Sequence, residues 1–418
     1  MSTQDDLIAQ IISVIDGSIA EFIKSIPEQQ TRIFDEISLL VKTLDLSGDS
    51  IIQSTKNLRI IGNIKSKLDA IVNSPEWIGI VNNYIASFDE VTKLQNQYFS
   101  TLVEKFKPNV LLNEIKKQSI EATVNSLTEA GISFSVTDQV QNILRQNITT
   151  GSSYSQMMSQ MRDFITTNQT GSGALERYTK QITTDALNQY VAQYTNAVTN
   201  DLGLNWFMYT GAIIDTSRAL CRALINKKYI HQSELPDIVL GRFFEFEQIG
   251  GKLNHKTKLP EGMIPGTNAS NFHIYRGGYQ CGHQLIPIDS SSVPNFIRLR
   301  FERKSMLANA NKNIPDNGSV FIKDFGDVKI TKAGLKEAIN QPHQNYSEKN
   351  KVIGVSLADA LKRAKYVGSF PDSKNRPHIE KFHYFETSIA GLKSYIIIQE
   401  RKDGSFIFHS IVDSIKKP

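Results

Sequence analysis

The sequence predicts a multidomain chain, mainly α-helical and loop-rich over its N-terminal two thirds, followed by a small α+β domain with an antiparallel sheet. Three observations carry this. Apolar residues recur at helical spacing through roughly the first 130 residues. A Gly-, Pro- and Asn-rich stretch running to about Leu285 lacks long periodicity. Near the C-terminus two apolar runs flank Asp403-Gly404, the mark of a β-hairpin. At 418 residues the chain exceeds one typical core, so two or three domains are expected.

In order, Ile8, Ile11, Ile12, Ile15, Ile19, Phe22, Ile23 and Ile26 share one face of a first helix. Ser2 or Thr3 can cap it, and Asp5 and Asp6 sit where the helix dipole favours carboxylates. Pro27 marks its break. Ser74-Pro75-Glu76 reads as a second start, with Ser as cap and Pro at the first helical position. A stripe from Trp77 through Tyr84 and Phe88 to Tyr98 follows, and Pro108 ends it. These stripes read as core packing without chemistry. Polar stretches at 149–154 and 166–173 flank a short helix carrying Met157, Met158 and Met161. A long helix covers 174–202. From Trp206 a β-prone run leads to a helix cap at Asp215-Thr216-Ser217. A strand-like run opens the last domain near Ser319. Helices are expected over 333–341 and 356–366, a strand over 383–389, and a hairpin closed by a type I′ Asp-Gly turn. The expected division is a helical arm at 1–135, a mixed module at 136–290, a linker at 291–327 and the α+β domain at 328–418.

The net charge of +5 is mild and does not by itself imply nucleic acid. No apolar run has transmembrane length, and Asp5 and Asp6 stand where a secretory signal would carry Lys or Arg. A cytoplasmic protein, or one packaged in a particle assembled there, is expected, with no membrane contact. A reducing compartment disfavours a disulfide between Cys221 and Cys281.

The helix Leu175 to Tyr190, the segment Trp206…Asp215-Thr-Ser-Arg218…Cys221, and Tyr275-Arg276-Gly-Gly-Tyr-Gln-Cys281-Gly-His283 together resemble the MuF-type phage head-morphogenesis family. The resemblance covers about 136–288. Many family members close with Asn-Cys-Arg-Cys, and this chain has Gln280-Cys281-Gly282-His283 instead. The resemblance implies a minor head protein near the portal, with portal and capsid proteins as partners. It implies a place in the virion, and in the bacterial host cytoplasm during assembly. Trp206, Asp215, Arg218 and Arg276 are the structural positions it marks. Asp215 and Arg218, about one turn apart, read as a pair closing the loop onto its helix.

Independently of that likeness, Cys281-x-His283 puts a thiolate beside an imidazole. Cys221 could add a third ligand and His231 or His273 a fourth, a set suited to structural zinc in a module lacking its own core. A buried Cys with a hydrogen-bonded His is the competing reading. No other cofactor is expected.

The segment from about Val328 to Ile415 resembles the phage barnase/EndoU/colicin/RelE-like nucleases, through Ile330 to His343, Lys349-Asn350 and the Ser394–Ser410 hairpin. Metal-independent RNA cleavage needs a base, an acid and a cation near the phosphate. Four of the eight histidines follow residue 340. The candidate catalytic residues are His343, Lys349, His383, His409 and Ser410, with strand alternation placing Ser410 opposite His409. Lys362, Arg363, Lys365 and Tyr384 would hold RNA. The alternative is a purely structural virion protein whose last domain only binds, to nucleic acid or another virion protein. Convergence of His343, His383 and His409 separates the two. A nucleotide-cofactor transferase is a third possibility, without a Gly-rich phosphate loop to support it.

Overall fold

The computed structural model describes residues 3–104, 106–169, 171–315 and 317–415. The first apolar stripe forms one helix, α1 (Gln4–Val41). Thr3 caps it in a reciprocal box with Asp6. The helix does not break at Pro27. Proline removes one backbone bond, yet Phe22, Ile26, Ile33 and Ile37 stay buried on either side of it. Their shared burial outweighs the missing bond.

A two-residue hairpin, β1 (Leu46–Ser47) and β2 (Ser50–Ile51), precedes α2 (Thr55–Val72). The expected start at Ser74-Pro75 opens α3 (Pro75–Leu102), with Ser74 accepting from the Trp77 N–H. Next come α4 (Val110–Leu127), α5 (Glu129–Ile132), a π turn, α6 (Asp138–Thr150), α7 (Tyr154–Ile165) and α8 (Ala174–Leu202). One core runs through these helices from Leu7 to Val198. No packing boundary falls at 135, because α1 and α3 bury their stripes together with α8.

The loop-rich stretch holds β3 (Trp206–Thr210), α9 (Ala219–Lys227), β4 (Tyr229–His231), α10 (Leu235–Val239), α11 (Phe244–Gln248), α12 (Phe272–Tyr275) and β5 (Gln284–Ile288). The strands form a sheet in the order β4-β3-β5. Met208 and Ile286 pack toward the helical core. Phe207, Tyr209, Leu285, Leu220 and Phe272 build a second core. The stretch therefore has a core of its own, contrary to expectation. All of this belongs to one compact unit ending at Ser292.

A second unit starts at Val293. It contains α13 (Asn295–Lys312), β6 (Ser319–Ile322), β7 (Gly326–Lys329), α14 (Lys332–Asn340), α15 (Tyr346–Lys351), α16 (Leu357–Arg363), β8 (Lys365–Pro371), β9 (Ile379–Ile389), β10 (Leu392–Arg401) and β11 (Phe406–Val412). The stretch expected as linker is thus structured: Met306, Leu307 and Ala310 of α13 pack into the core of this unit. The sheet runs β6-β7-β11-β10-β9-β8. It is antiparallel apart from β7 and β11, which pair in parallel at two positions, so the sheet is mixed. The helices cover the face carrying Phe385, Ile396, Ile398, Phe408 and Ile411. Ile379, Phe382 and Ile397 form a small cluster on the other face. The hairpin turn is not type I′. Of Lys402, Asp403 and Gly404 only Gly404 has positive φ, and Gly404 N–H donates to Arg401 O. This is a type I turn closed by a glycine bulge.

Candidate metal centre and the C-terminal histidines

In the first unit, two segments deliver Cys221, Cys281 and His283 to one point. Cys221 sits on α9, and the other two lie in the loop entering β5. The sulfurs are 3.9 Å apart, and Cys281 Sγ is 3.7 Å from His283 Nδ1. All three residues are buried. Tyr209 stacks on His283 and places its hydroxyl 3.9 Å from Cys281 Sγ. A Cβ at Gly277 would lie 2.4 Å from one sulfur and 2.8 Å from the other, so the sulfurs meet only because that position has no side chain.

Arg276, at φ 35°, is fully buried beside them. It donates to His273 O, Gln284 Oε1 and Asn188 O. No ion pair to it is found among the described residues. The hydrogen bond from Cys221, then His283 and the Arg276 charge, hold the Cys281 thiol well below its ordinary range. Cys221 is pushed up by donating that bond and by burial. The three residues could hold a soft cation. His231 and His273 do not join them: His231 lies against Trp206, and His273 packs on Phe207.

Asp215 and Arg218 do not close the loop as a pair. Asp215 is exposed, and Arg218 donates to Gly277 O and Tyr279 O. Arg222 secures the loop instead, by donating to Ile214 O and Asp215 O. Sequence reading missed Tyr209 and the enabling role of Gly277. The Arg-Gly-Gly run was the visible signal for the latter.

In the second unit the candidate catalytic residues occupy three separate places. His343, between α14 and α15, is buried. Its Nδ1 accepts from Asn345 N–H, and its Nε2 lies 3.0 Å from Ser394 Oγ, which itself donates to Leu392 O. The histidine is therefore the Nε2–H tautomer, and burial lowers its pKa. Lys349 is fully buried and donates to Ala338 O and Gln341 O, satisfying the end of α14.

His383 pairs with Glu400, Nε2 to Oε2 at 2.6 Å, and is walled by Phe325, Tyr366 and Phe406. It shares the helix-covered face with Ser394. The register sets them four residues apart along the strands, about 13 Å. His409 lies against Phe382 on the opposite face. A bulge at His409 changes the expected alternation: Ile398 pairs with Phe408 and Ile397 with Ser410. Ser410 therefore faces the same side as His409, and is fully buried beside Ile397.

Lys362, Arg363 and Lys365 are exposed where α16 passes into β8. Tyr384 lies edge-on to Phe370 on the face away from His383. Sequence reading missed a row on that open face. Asp372 binds Arg376 through both oxygens, and the guanidinium lies over Phe382, next to His409. An Asp four residues before an Arg in a loop was its only trace.

Residues 298–408 match the family described as large polyvalent protein-associated domain 3. The match points to a phage-associated protein. Neither the curated proteins nor the solved structures include a match. The matched residues lie within the second unit, which is strongly basic. From Val293 onward the chain has 22 Lys and Arg against 13 Asp and Glu, a net of +9 within a chain of +5. The first unit is therefore at −4.

Proposed function

We propose that this is a phage minor head protein whose basic C-terminal unit binds nucleic acid without cutting it. The dispersal of His343, His383 and His409 carries this reading. A proton-transfer site needs its acid and base on one substrate. Here one histidine is engaged through both nitrogens, one is held by Glu400, and one lies on the other face of the sheet. Lys349, which would supply the cation, is spent on backbone carbonyls. The net charge of +9 supplies the attraction for a polyanion. Lys362, Arg363 and Lys365 are the exposed cations we assign to phosphate contacts. The head-assembly role rests on the resemblance around Trp206, Arg218, Arg276 and Cys281, and on the phage-associated match. On this reading the helical first unit docks on portal or capsid protein, and the chain resides in the virion.

The test is the salt dependence of RNA binding by the full chain. Each phosphate-binding cation removed should lower the slope of log K against log[salt] by about 0.7 for a single strand. Lys362→Glu with Lys365→Glu should weaken binding and flatten the slope by about 1.4. An unchanged slope and affinity would remove these residues from the interface.

A further inference from the structure

We propose that Cys221 Sγ, Cys281 Sγ and His283 Nδ1 hold one structural zinc ion that clamps α9 to the loop entering β5. Two edges of the triangle match those of a tetrahedral face. With Zn–S near 2.3 Å and Zn–N near 2.0 Å, such a face has edges of about 3.8 Å between sulfurs and about 3.5 Å from sulfur to nitrogen. The observed edges are 3.9 and 3.7 Å, and all three ligand atoms lie within 4.8 Å of one another. A disulfide would need about 2.05 Å, so the two thiols are not bonded to each other.

The surroundings are built to the same end. Gly277 leaves the sulfurs room, and Gly211 lets the His283 ring lie against the backbone, where a Cβ would be 2.8 Å from Cδ2. The fully buried Arg276 places its charge beside the sulfurs. Tyr209 Oη lies 3.9 Å from Cys281 Sγ and closes that side of the site. All three ligands are buried, which keeps the site away from bulk water. The ion would tie together residues 60 apart in the chain, closing the loop-rich part of the first unit. The inference does not depend on what the C-terminal unit binds.

The full chain is purified under reducing conditions, equilibrated with zinc, dialysed and assayed for metal by emission spectrometry. A second sample is loaded with Co²⁺ and its absorption recorded. One zinc per chain and an intense thiolate-to-cobalt charge-transfer band are expected. Cys281→Ser and His283→Ala, each checked for fold by circular dichroism, should fall at least about tenfold in metal retained after dialysis. If those variants do not fold, the cobalt spectrum of the unaltered chain decides alone. A folded, reduced chain that retains no zinc and shows no thiolate band overturns the proposal. So does a variant that keeps full metal content, or a mass two daltons low from a Cys221–Cys281 disulfide.

Discussion

Burial, and secondarily the Arg303 charge, lowers the Lys349 ammonium from 10.5 to about 8. A base depressed by folding costs stability wherever it is charged in both states, below pH 8. The cost is relieved as pH rises from about 8 to 10.5, because only the unfolded chain still binds that proton. Stability of the C-terminal unit should therefore climb across that window, by at most about 3 kcal/mol. Chemical denaturation at several pH values should show the climb in the natural chain and not in Lys349→Met. Equal pH profiles would mean that the ammonium is not desolvated as described. The candidate residues themselves are legible as residue types, since Cys221, Cys281 and His283 do meet. Their grouping in the second unit is not. Alternation puts Ser410 opposite His409, but one inserted residue at the bulge reverses that parity. Nothing in Phe406 to Ser410 signals which residue is extra.

Among the secondary-structure elements, glycine shows how packing can override propensity. Gly334 lies in the first turn of α14, where an added Cβ would be 2.2 Å from Phe408 O, a backbone atom that cannot move aside. Gly79 in α3 has nothing within 4 Å of the same position. Helix propensity favours Ala at both by up to about 1 kcal/mol. Gly79→Ala should stabilise by about 0.5–1 kcal/mol, and Gly334→Ala should destabilise by about 1–3 kcal/mol. Thermal unfolding of the two variants checks the opposite signs; a stabilising Gly334→Ala would mean that α14 does not press on β11. The elements with clear punctuation are legible: α8, closed by Gly203 at φ 63°, and α3, opened by Ser74-Pro75. Pro27 misleads because tertiary burial carries the helix through it. The parallel pairing of β7 with β11 joins residues far apart in sequence, and local pattern carries no trace of it.

Across the whole molecule, the fold class is legible, because long helical stripes and a strong hairpin each leave their own period. The places where cores begin and end are less so. Residues 1–135 read as a separate arm, although their stripes are buried with α8. The basic run after Pro294 reads as linker, although α13 turns Met306 and Leu307 into the second core. Charge divides with those cores, −4 in the first unit and +9 in the second. That division, set beside histidines that do not converge, leads to binding without turnover. The direct measurement incubates end-labelled RNA with the full chain and chelator, then runs native and denaturing gels side by side. A retarded complex containing intact RNA is predicted. RNA fragments that disappear with His343→Ala or His409→Ala would contradict the account, as would RNA that is neither retarded nor cut.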